Sequence, residues 1–371
     1  MGFKILAINP GSTSTKIALY EDEKELLVKT LEHPAEEIEK YDKIVDQFNM
    51  RKSVVLTFLK ENGYDIKKLD AVVGRGGMLP PVKSGAYKVN DLMVDTLVNR
   101  PYQEHASNLG AIIAYEIANT IGKPAYIYDS VKVDELNPIA RISGMPEIPR
   151  RSTCHALNMR AMAMKVAKRY NKNYYDMNFV VAHMGGGVSL TVQEKGKLVD
   201  IISDDEGPFS PERAGRVHSR PLVELCFSGK YDKKTIVKMI SGNGGLMGYL
   251  GTVDGREVEK MIENGNEEAR LVYEAMAYQI AKGIGELATV VKGKVDAIIL
   301  TGGIAYSKMM TGWIKERVEF IAPVEIMAGE NEMESLALGT LRVLRREEEA
   351  REYTEWYKRQ LNILLNCLLY L

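Results

Sequence analysis

The chain has 371 residues, with 49 Lys plus Arg against 50 Asp plus Glu and a formal net charge of −1 at pH 7. This balance leaves no basic surplus to neutralise a phosphate backbone, which argues against nucleic-acid binding. The length suits two domains, and 45% hydrophobic residues exclude a largely disordered chain. Three scattered cysteines form no disulfide framework, and no apolar run reaches the roughly 20 residues that cross a bilayer. We therefore expect a cytoplasmic protein with no membrane partner.

The first thirty residues predict three strands joined by two turns. The strands are the runs Phe3–Ile8, Thr15–Tyr20 and Leu26–Thr30. The first turn has the sequence Asn-Pro-Gly-Ser-Thr-Ser and is followed closely by a lysine; its candidate ligand-binding residues are Asn9, Gly11, Ser12 and Lys16. Its glycine, hydroxyls and ammonium group can approach a phosphate closely, and a Ser/Thr-rich hairpin turn is the plain alternative.

Helices and short buried strands alternate through the next 140 residues or so. The predicted helices are Ile38–Glu61, Ser107–Thr120 and Thr153–Tyr170, and the predicted strands are Ala71–Val73 and Ala125–Tyr128. Arg75 follows the first of these strands between glycines, and Asp129 ends the second. This alternation favours an α/β fold, in which ligands bind at the carboxyl ends of strands.

The pattern of the N-terminus returns about 176 residues later. An apolar run at Phe179–Ala182 precedes His183 and the triple glycine Gly185, Gly186 and Gly187; the runs Val188–Val192 and Leu198–Ile202 follow. A strand, a glycine turn and two further strands at both places predict two similar halves that pack around a cleft.

A third glycine turn lies near the end of the chain. Gly302 and Gly303 follow the predicted strand Val295–Leu300, which lies between the predicted helices Glu267–Val291 and Ser335–Arg351. Glycine at a strand end lets a phosphate or an adenosine approach the backbone. Three such turns, two of them in duplicated units, predict a nucleotide held between two halves.

The run Ala7–Lys16 resembles the N-terminal signature of the acetokinase family, which belongs to the sugar kinase, heat-shock-70 and actin superfamily. Phe179–Leu190 resembles the family's second phosphate loop, and Ile298–Ser307 resembles its adenosine loop. The short glycine-flanked stretch around Arg75 and the run Arg216–Pro221 depart from acetate kinase and resemble the butyrate kinase branch. The resemblance extends from Met1 to about Trp356.

The resemblance implies a duplicated, actin-like (ribonuclease H-like) two-domain α/β fold with a nucleotide cleft between the halves. It also implies the reversible transfer of a phosphoryl group between ATP, with Mg²⁺, and a short-chain carboxylate by direct in-line attack. The expected partners are ATP or ADP, a short-chain fatty acid and further copies of the chain. The expected domains are 1–152 with about 337–371, for acyl and phosphate binding, and 153–336, for nucleotide binding.

The resemblance also assigns roles to residues. The catalytic candidates are Arg75, Asp129, His183 and Arg216, with Arg213 and Arg220 as rivals of the last; the substrate-binding candidates are Asn9, His105 and His155; the ATP-binding candidates are Gly11, Ser12, Lys16, Gly185, Gly186, Gly187, Asp254, Arg256, Gly302 and Gly303; the magnesium candidate is Glu332, with Glu334 as its rival. Each has a structural alternative. His105 and His155 are predicted to lie on helices, and Asp254 is expected to cap one.

Two other functions stay open at this point: a phosphatase on the same duplicated fold, and an actin-like ATP-dependent assembly or sensor protein. The carboxylate kinase is favoured because two arginines suit an organic carboxylate and a phosphoryl group. The last eleven residues, 361–371, are strongly apolar and too short to cross a membrane, so we expect them to pack on this chain or on a neighbouring subunit.

Overall fold

The computed structural model describes residues 2–354. The strands are β1 Lys4–Pro10, β2 Ser14–Glu21, β3 Lys24–Glu32, β4 Ala71–Gly74, β5 Ala86–Lys88, β6 Ala125–Tyr128, β7 Asn178–Met184, β8 Val188–Glu194, β9 Lys197–Ile202, β10 Ala297–Gly302, β11 Val324–Ala328 and β12 Arg351–Glu352. The helices are α1 Ala35–Ile38, α2 Phe48–Glu61, α3 Asp91–Asn99, α4 Asn108–Thr120, α5 Ala156–Arg169, α6 Ser219–Phe227, α7 Lys233–Ile240, α8 Gly245–Leu250, α9 Gly255–Glu263, α10 Glu267–Val290, α11 Lys308–Val318 and α12 Glu332–Leu344.

The first compact unit comprises Met1–Asp134 and Asn331–Leu371, of which residues 2–134 and 331–354 are described. Its sheet has the order β12-β5-β6-β4-β1-β2-β3. β1, β2 and β3 form an antiparallel meander, while β4 runs parallel to β1 and β6 runs parallel to β4. Every residue of β4 and β6 is buried, and α4 and α12 pack against these strands and β1. This arrangement brings the carboxyl ends of β1, β4 and β6 side by side.

The second unit, Glu135–Glu330, has a sheet of order β11-β10-β7-β8-β9. β7, β8 and β9 form an antiparallel meander, while β10 runs parallel to β7 and β11 runs parallel to β10. The 24-residue α10 packs on this sheet through a continuous stripe of buried residues, and α5 contacts β7 and β10. The carboxyl ends of β7 and β10 therefore lie next to each other.

The two units repeat one topology. The order β3-β2-β1-β4-β6 of the first sheet is matched by β9-β8-β7-β10-β11 of the second, with the same parallel and antiparallel pairings. This repeat confirms the duplicated α/β fold predicted from the two glycine turns. The sheet of the first unit has two further strands, β5 and β12, which lie beyond β6.

The chain passes between units at Asp134/Glu135 and Glu330/Asn331, earlier than the predicted boundaries in both cases. At the first change, Glu135 already accepts a hydrogen bond from the Leu198 amide of β9 in the second unit. The second coincides with the start of α12, which packs on the first sheet. The predicted acyl and nucleotide roles of the domains stay predictions.

Two predicted helices depart furthest from the bounds in the structure. The segment predicted as one helix from Ile38 to Glu61 begins at the last residue of α1 and contains a 3₁₀ turn at Ile44–Gln47 and α2, because residues 39–43 are mostly charged and offer little apolar surface to pack. The last predicted helix ends at Leu344, since Arg346 adopts a φ of 62°, a left-handed conformation that ends helices.

No helix within residues 2–354 is long and apolar enough to cross a membrane. The predicted docking of the apolar run 361–371 lies outside the described residues.

Candidate active site

The first glycine turn connects β1 to β2 in the first unit. The Gly11 amide donates to the Ser14 carbonyl at 2.8 Å and closes the turn, and Ser12 is exposed at its tip. Asn9 and Lys16 are paired across the two strands at the base of the turn. The structure therefore brings the four predicted residues of this loop together.

Asn9, Arg75 and Glu332 form one cluster at the carboxyl ends of β1 and β4. The Asn9 amide donates to Glu332 Oε2 at 2.6 Å, and Arg75 Nη2 lies 3.3 Å from Glu332 Oε1. The Arg75 backbone amide donates to the Ile8 carbonyl at 2.9 Å, which continues the parallel pairing of the strands and fixes the arginine at their ends. Glu332 is the first residue of α12, where a carboxylate is favoured by the helix dipole. Glu334 stands two positions further along the same helix.

Asp129 and His105 lie near this cluster. The Asp129 carbonyl accepts from Arg75 Nη1 at 3.3 Å, while its buried carboxylate accepts from the Gly85 amide at 2.7 Å. His105 Nδ1 accepts from the Ser107 amide at 3.1 Å, and burial together with the Arg75 charge lowers the pKa of His105. The prediction that His105 lies on a helix is wrong: α4 begins at Asn108, because the imidazole and Ser107 form a turn before it.

The triple glycine of the second unit forms a tight turn between β7 and β8. The Gly185 amide donates to the Gly187 carbonyl at 3.0 Å, and Ser210 Oγ donates to the Gly186 carbonyl at 2.6 Å. A Cβ atom on Gly187 would lie 3.0 Å from Asp204 Oδ2 and 3.3 Å from Arg213 Nε. Charged side chains therefore approach the backbone of the turn closely, and any side chain at position 187 would have to displace them.

His183 ends β7 beside this turn and is held by neighbouring side chains. Asn158 Nδ2 lies 3.0 Å from His183 Nδ1, and the His155 ring stacks on the His183 ring with centroids 3.9 Å apart. With the Asn158 amide in this orientation its nitrogen donates, so His183 Nδ1 is the acceptor and Nε2 carries the proton. His183 Nε2 is buried and lies 3.3 Å from Glu330 Oε1, yet it makes no hydrogen bond with any described residue.

Arg213 approaches the triple glycine turn, whereas Arg216 does not. Arg213 Nη1 lies 3.0 Å from Asp204 Oδ2, and its buried Nε has no hydrogen-bond partner within residues 2–354. Arg216 is exposed: its Nε donates to the Glu206 carbonyl at 2.9 Å and its Nη2 lies 3.2 Å from Glu286. Arg220 is exposed on α6. Among these three arginines, the geometry favours Arg213 over the predicted Arg216.

His155 occupies the N-cap position of α5, one residue before the helix, and its Nδ1 lies 3.1 Å from Ser189 Oγ. The predicted location on a helix is therefore wrong by one residue. This position places the ring beside His183 rather than on the outer surface of α5.

A pocket of about 730 Å³ lies between the start of α9 and the glycine turn after β10. Its wall is formed by Val253, Asp254, Gly255, Arg256, Glu259, Tyr273, Gly303, Ile304, Tyr306 and Ser307. Asp254 caps α9 as expected, and the Arg256 guanidinium and backbone amide lower the pKa of the Asp254 carboxyl to about 2. Gly302 has a φ of 90° and passes so close to β7 that a Cβ would lie 2.4 Å from the Met184 carbonyl oxygen.

Comparisons with known proteins assign the chain to one family. The model of the acetokinase family matches residues 143–328. Butyrate kinase 2 of Clostridium acetobutylicum is 53% identical over 355 residues, which are 95% of this chain and all of that protein. The chain belongs to the acetokinase family. It is therefore a carboxylate kinase, a phosphotransferase that uses ATP.

Solved structures of acetokinase relatives share the fold. Acetate kinase of Porphyromonas gingivalis superposes with a TM-score of 0.73 and 19% identity, covering 92% of this chain and 100% of that one. Propionate kinase of Francisella tularensis superposes with a TM-score of 0.68 and 20% identity, covering 91% and 98%. Acetate kinases have the actin-like two-domain fold, and this chain shares it.

Several residues of this candidate site were not predicted from the sequence. They are Asn158, Asp204, Glu259, Tyr273, Ser307 and Glu330. Asn158 lies in the first turn of α5, three positions after the N-cap His155, and this spacing is the one available signal. Ser307 ends the run Ile298–Ser307 that resembles the adenosine loop, and the others belong to no motif of the chain.

Proposed function

We propose that the chain transfers a phosphoryl group from ATP to butyrate or a branched four-carbon acid, giving ADP and the acyl phosphate in a reversible reaction. One observation carries the proposal: His183 Nε2 and Arg213 Nε are buried beside the triple glycine turn and make no hydrogen bond with any described residue, although the exposed Glu330 carboxylate lies 3.3 Å from His183 Nε2. Buried donors are nearly always paired, so an anionic ligand is the acceptor that completes them. The 53% identity to butyrate kinase 2 supports the choice of acid.

Arg75 and Arg213 would stabilise the negative charge of phosphoryl transfer. This reaction needs little covalent chemistry from the protein and is accelerated by cations and donors around the phosphoryl group. Arg75 is 5% exposed and is oriented by Glu332 and the Asp129 carbonyl, so its guanidinium is held in one position. Asp204 orients Arg213 in the same way.

Glu332 would bind Mg²⁺ when ATP is present. A magnesium ion in a nucleotide site uses one or two carboxylates and takes its other ligands from phosphates and water. The described residues hold no group of three or more His, Cys, Asp and Glu side chains suited to a metal, which fits that pattern. The bound ion would neutralise phosphate charge. Asn9 would orient Glu332 through its 2.6 Å hydrogen bond.

His183 would donate its Nε2 proton to the transferred phosphoryl group as a hydrogen bond. Asn158 sets the tautomer, and its own amide donates to Thr301 Oγ1 at 2.9 Å, which anchors it to β10. The stacked His155 ring restricts rotation of His183. A donor held in this way loses little entropy when the transition state forms.

The pocket beside α9 would hold the adenosine of ATP. Glu259 accepts hydrogen bonds from Ser307 and Tyr273, so this carboxylate is fixed in the pocket wall. Gly303 supplies open space at the mouth, because a Cβ there would meet no atom within 4 Å. We propose Asp254, Arg256, Gly302 and Gly303 as part of this adenosine site.

The test is the formation of acyl hydroxamate from ATP and acetate, propionate, butyrate or isobutyrate. We expect the highest kcat/KM with a four-carbon acid, loss of activity in Arg75→Ala, and normal activity in Arg345→Ala, whose surface ion pairs involve Asp22 and Glu23. Preference for acetate would contradict the proposed acid. Hydrolysis of ATP without any acid dependence would contradict the proposed kinase reaction.

A further inference from the structure

Arg51 of α2 lies fully buried beneath the first glycine turn, at 0% exposure. Its Nη1 donates to the carbonyls of Gly11 and Ser14 at 2.9 and 2.8 Å, and its Nη2 donates to the Ser12 carbonyl at 2.9 Å. Gln47 Oε1 accepts from Nε at 3.0 Å and from Nη2 at 2.8 Å. One guanidinium therefore binds three carbonyls of a loop that lies about 40 positions away in sequence.

No carboxylate of residues 2–354 forms an ion pair with this guanidinium. His33 is its titratable neighbour, since His33 Nε2 lies 2.8 Å from Thr15 Oγ1 and Arg51 Nη1 lies 3.2 Å from the same oxygen. Burial and the Arg51 charge lower the pKa of His33 to about 4, so His33 is neutral at pH 7. The protein therefore buries a single positive charge here, an arrangement that costs free energy unless an anion compensates it.

The carbonyl contacts also decide where the amides of the turn point. In a planar trans peptide the N–H is directed opposite to the preceding carbonyl. The carbonyls of Gly11 and Ser12 face Arg51, so the amides of Ser12 and Thr13 face the other way, where both residues are exposed. Neither amide has an acceptor in the described part of the chain. Successive outward amides form a concave site for an anion.

We infer that Arg51 is a positioning residue for the phosphate chain of ATP. It holds Gly11, Ser12 and Ser14 so that the amides of the turn point outward, and its charge is compensated by the phosphates bound there. Arg51 does not touch the nucleotide itself. The inference rests on the proposed function, because it takes ATP to be the anion at this turn.

The test compares ATP with adenosine, which lacks the phosphates. We expect Arg51→Met to weaken ATP binding by about tenfold or more, as for the loss of a charged partner, and to leave adenosine binding unchanged. Arg51→Lys keeps the charge but cannot reach three carbonyls, so it should weaken ATP binding less than Arg51→Met does. Arg160→Met is the matched control: Arg160 is 2% exposed and packs on Tyr174 in the second unit. It should lower thermal stability without changing the ratio of the two affinities.

Equal losses of ATP and adenosine affinity, or a normal ATP affinity in Arg51→Met, would overturn the inference. If Arg51→Met does not fold, Gln47→Leu replaces it, because loss of the Gln47 acceptor loosens Arg51 without removing it. An unchanged ratio of ATP affinity to adenosine affinity in both Gln47→Leu and Arg51→Lys would also overturn the inference. Binding is measured by equilibrium titration rather than by turnover. Failure of the unsubstituted enzyme to form acyl hydroxamate would therefore contradict the proposed function separately.

Discussion

Arg213 and Arg216 are three positions apart and make different contacts. Arg213 lies beside Gly187 with a buried Nε that has no hydrogen-bond partner among the described residues, while Arg216 forms a surface ion pair with Glu286. We expect Arg213→Ala to lower kcat by about 10² or more, as when a single donor to a charged transition state is removed. Arg216→Ala should leave kcat unchanged, since an exposed ion pair contributes little.

The measurement is the steady-state rate of acyl phosphate formation in both variants, with circular dichroism to confirm folding. Arg220→Ala is the further control, because Arg220 is exposed on α6. A collapse of kcat in Arg216→Ala with a normal rate in Arg213→Ala would contradict the assignment made from the structure.

His33 makes stability depend on pH. Its pKa in the folded protein is about 4, lowered first by burial and then by the charge of Arg51, against an ordinary value of 6.5. Between these values the unfolded chain binds a proton that the folded protein does not, so stability is lost as the pH falls from 6.5 towards 4. We expect about 2 kcal/mol of the unfolding free energy to be lost between pH 7 and pH 5 through this group.

Urea unfolding of the unsubstituted protein and of His33→Gln at both pH values measures this loss. The glutamine side chain can contact Thr15 but does not titrate, so the variant should lack this part of the pH dependence. Identical pH dependence in the two proteins would show that His33 is not responsible.

Sequence could predict Asn9, Arg75 and the glycines, because each follows an apolar strand at a place where α/β sheets bind ligands. It could not predict Arg51 or choose between Arg213 and Arg216. The contacts of Arg51 depend on how α2 docks under a turn of β1 and β2, and those of the other two depend on an irregular loop. The ATP-binding and catalytic roles of the chosen residues stay proposals.

At the level of elements, α4 crosses β4 at two glycines. A Cβ on Gly74 would lie 2.1 Å from the Gly110 carbonyl oxygen, and a Cβ on Gly110 would lie 2.7 Å from the Arg75 carbonyl oxygen. The helix and strand backbones are therefore in direct contact. This close packing fixes the position of Arg75 immediately after β4.

We expect Gly110→Ala to destabilise the protein by about 3 kcal/mol, since overpacking against backbone cannot be relieved by a rotamer change. It should also lower kcat, because the new methyl group displaces Arg75. Gly285→Ala is the matched control, because Gly285 lies in α10 and a Cβ there would meet no atom within 4 Å. The free energy of unfolding of this variant should rise by about 0.5–1 kcal/mol through helix propensity. Urea unfolding gives the stability of both variants, and a steady-state assay gives their kcat. Equal stability of the two variants would contradict the packing argument.

Helices and strands whose apolar residues recur at regular spacing are predicted closely from sequence. Elements that consist of charged residues, or that depend on pairing with a distant strand, are not. α10 spans Glu267–Val290 against a predicted Glu267–Val291. β12 escapes prediction, because two charged residues carry no strand pattern and the strand is defined by the pairing of Arg351 and Glu352 with β5. Local sequence cannot show a partner that lies some 260 residues earlier in the chain.

For the whole molecule, the duplication is visible in sequence because the same arrangement of strand, glycine turn and strand occurs in each half. The halves differ in the number of chain segments that form them. The second unit is one continuous segment, Glu135–Glu330, whereas the first needs residues from both ends of the chain. Sequence predicts this difference only in part, since it places the return to the first unit near residue 337.

This difference predicts that the two units fold differently as fragments. α12 packs on β1, β4 and β6, and its buried Gly339 lies directly on the Tyr128 ring, so a fragment of residues 1–134 exposes the apolar surface that α12 covers. The fragment 135–330 keeps its whole sheet, α10 and the pocket beside α9. We expect fragment 135–330 to unfold cooperatively in urea and to bind adenosine, and fragment 1–134 to show no cooperative transition. A cooperative transition in fragment 1–134 would show that α12 is dispensable for the first sheet.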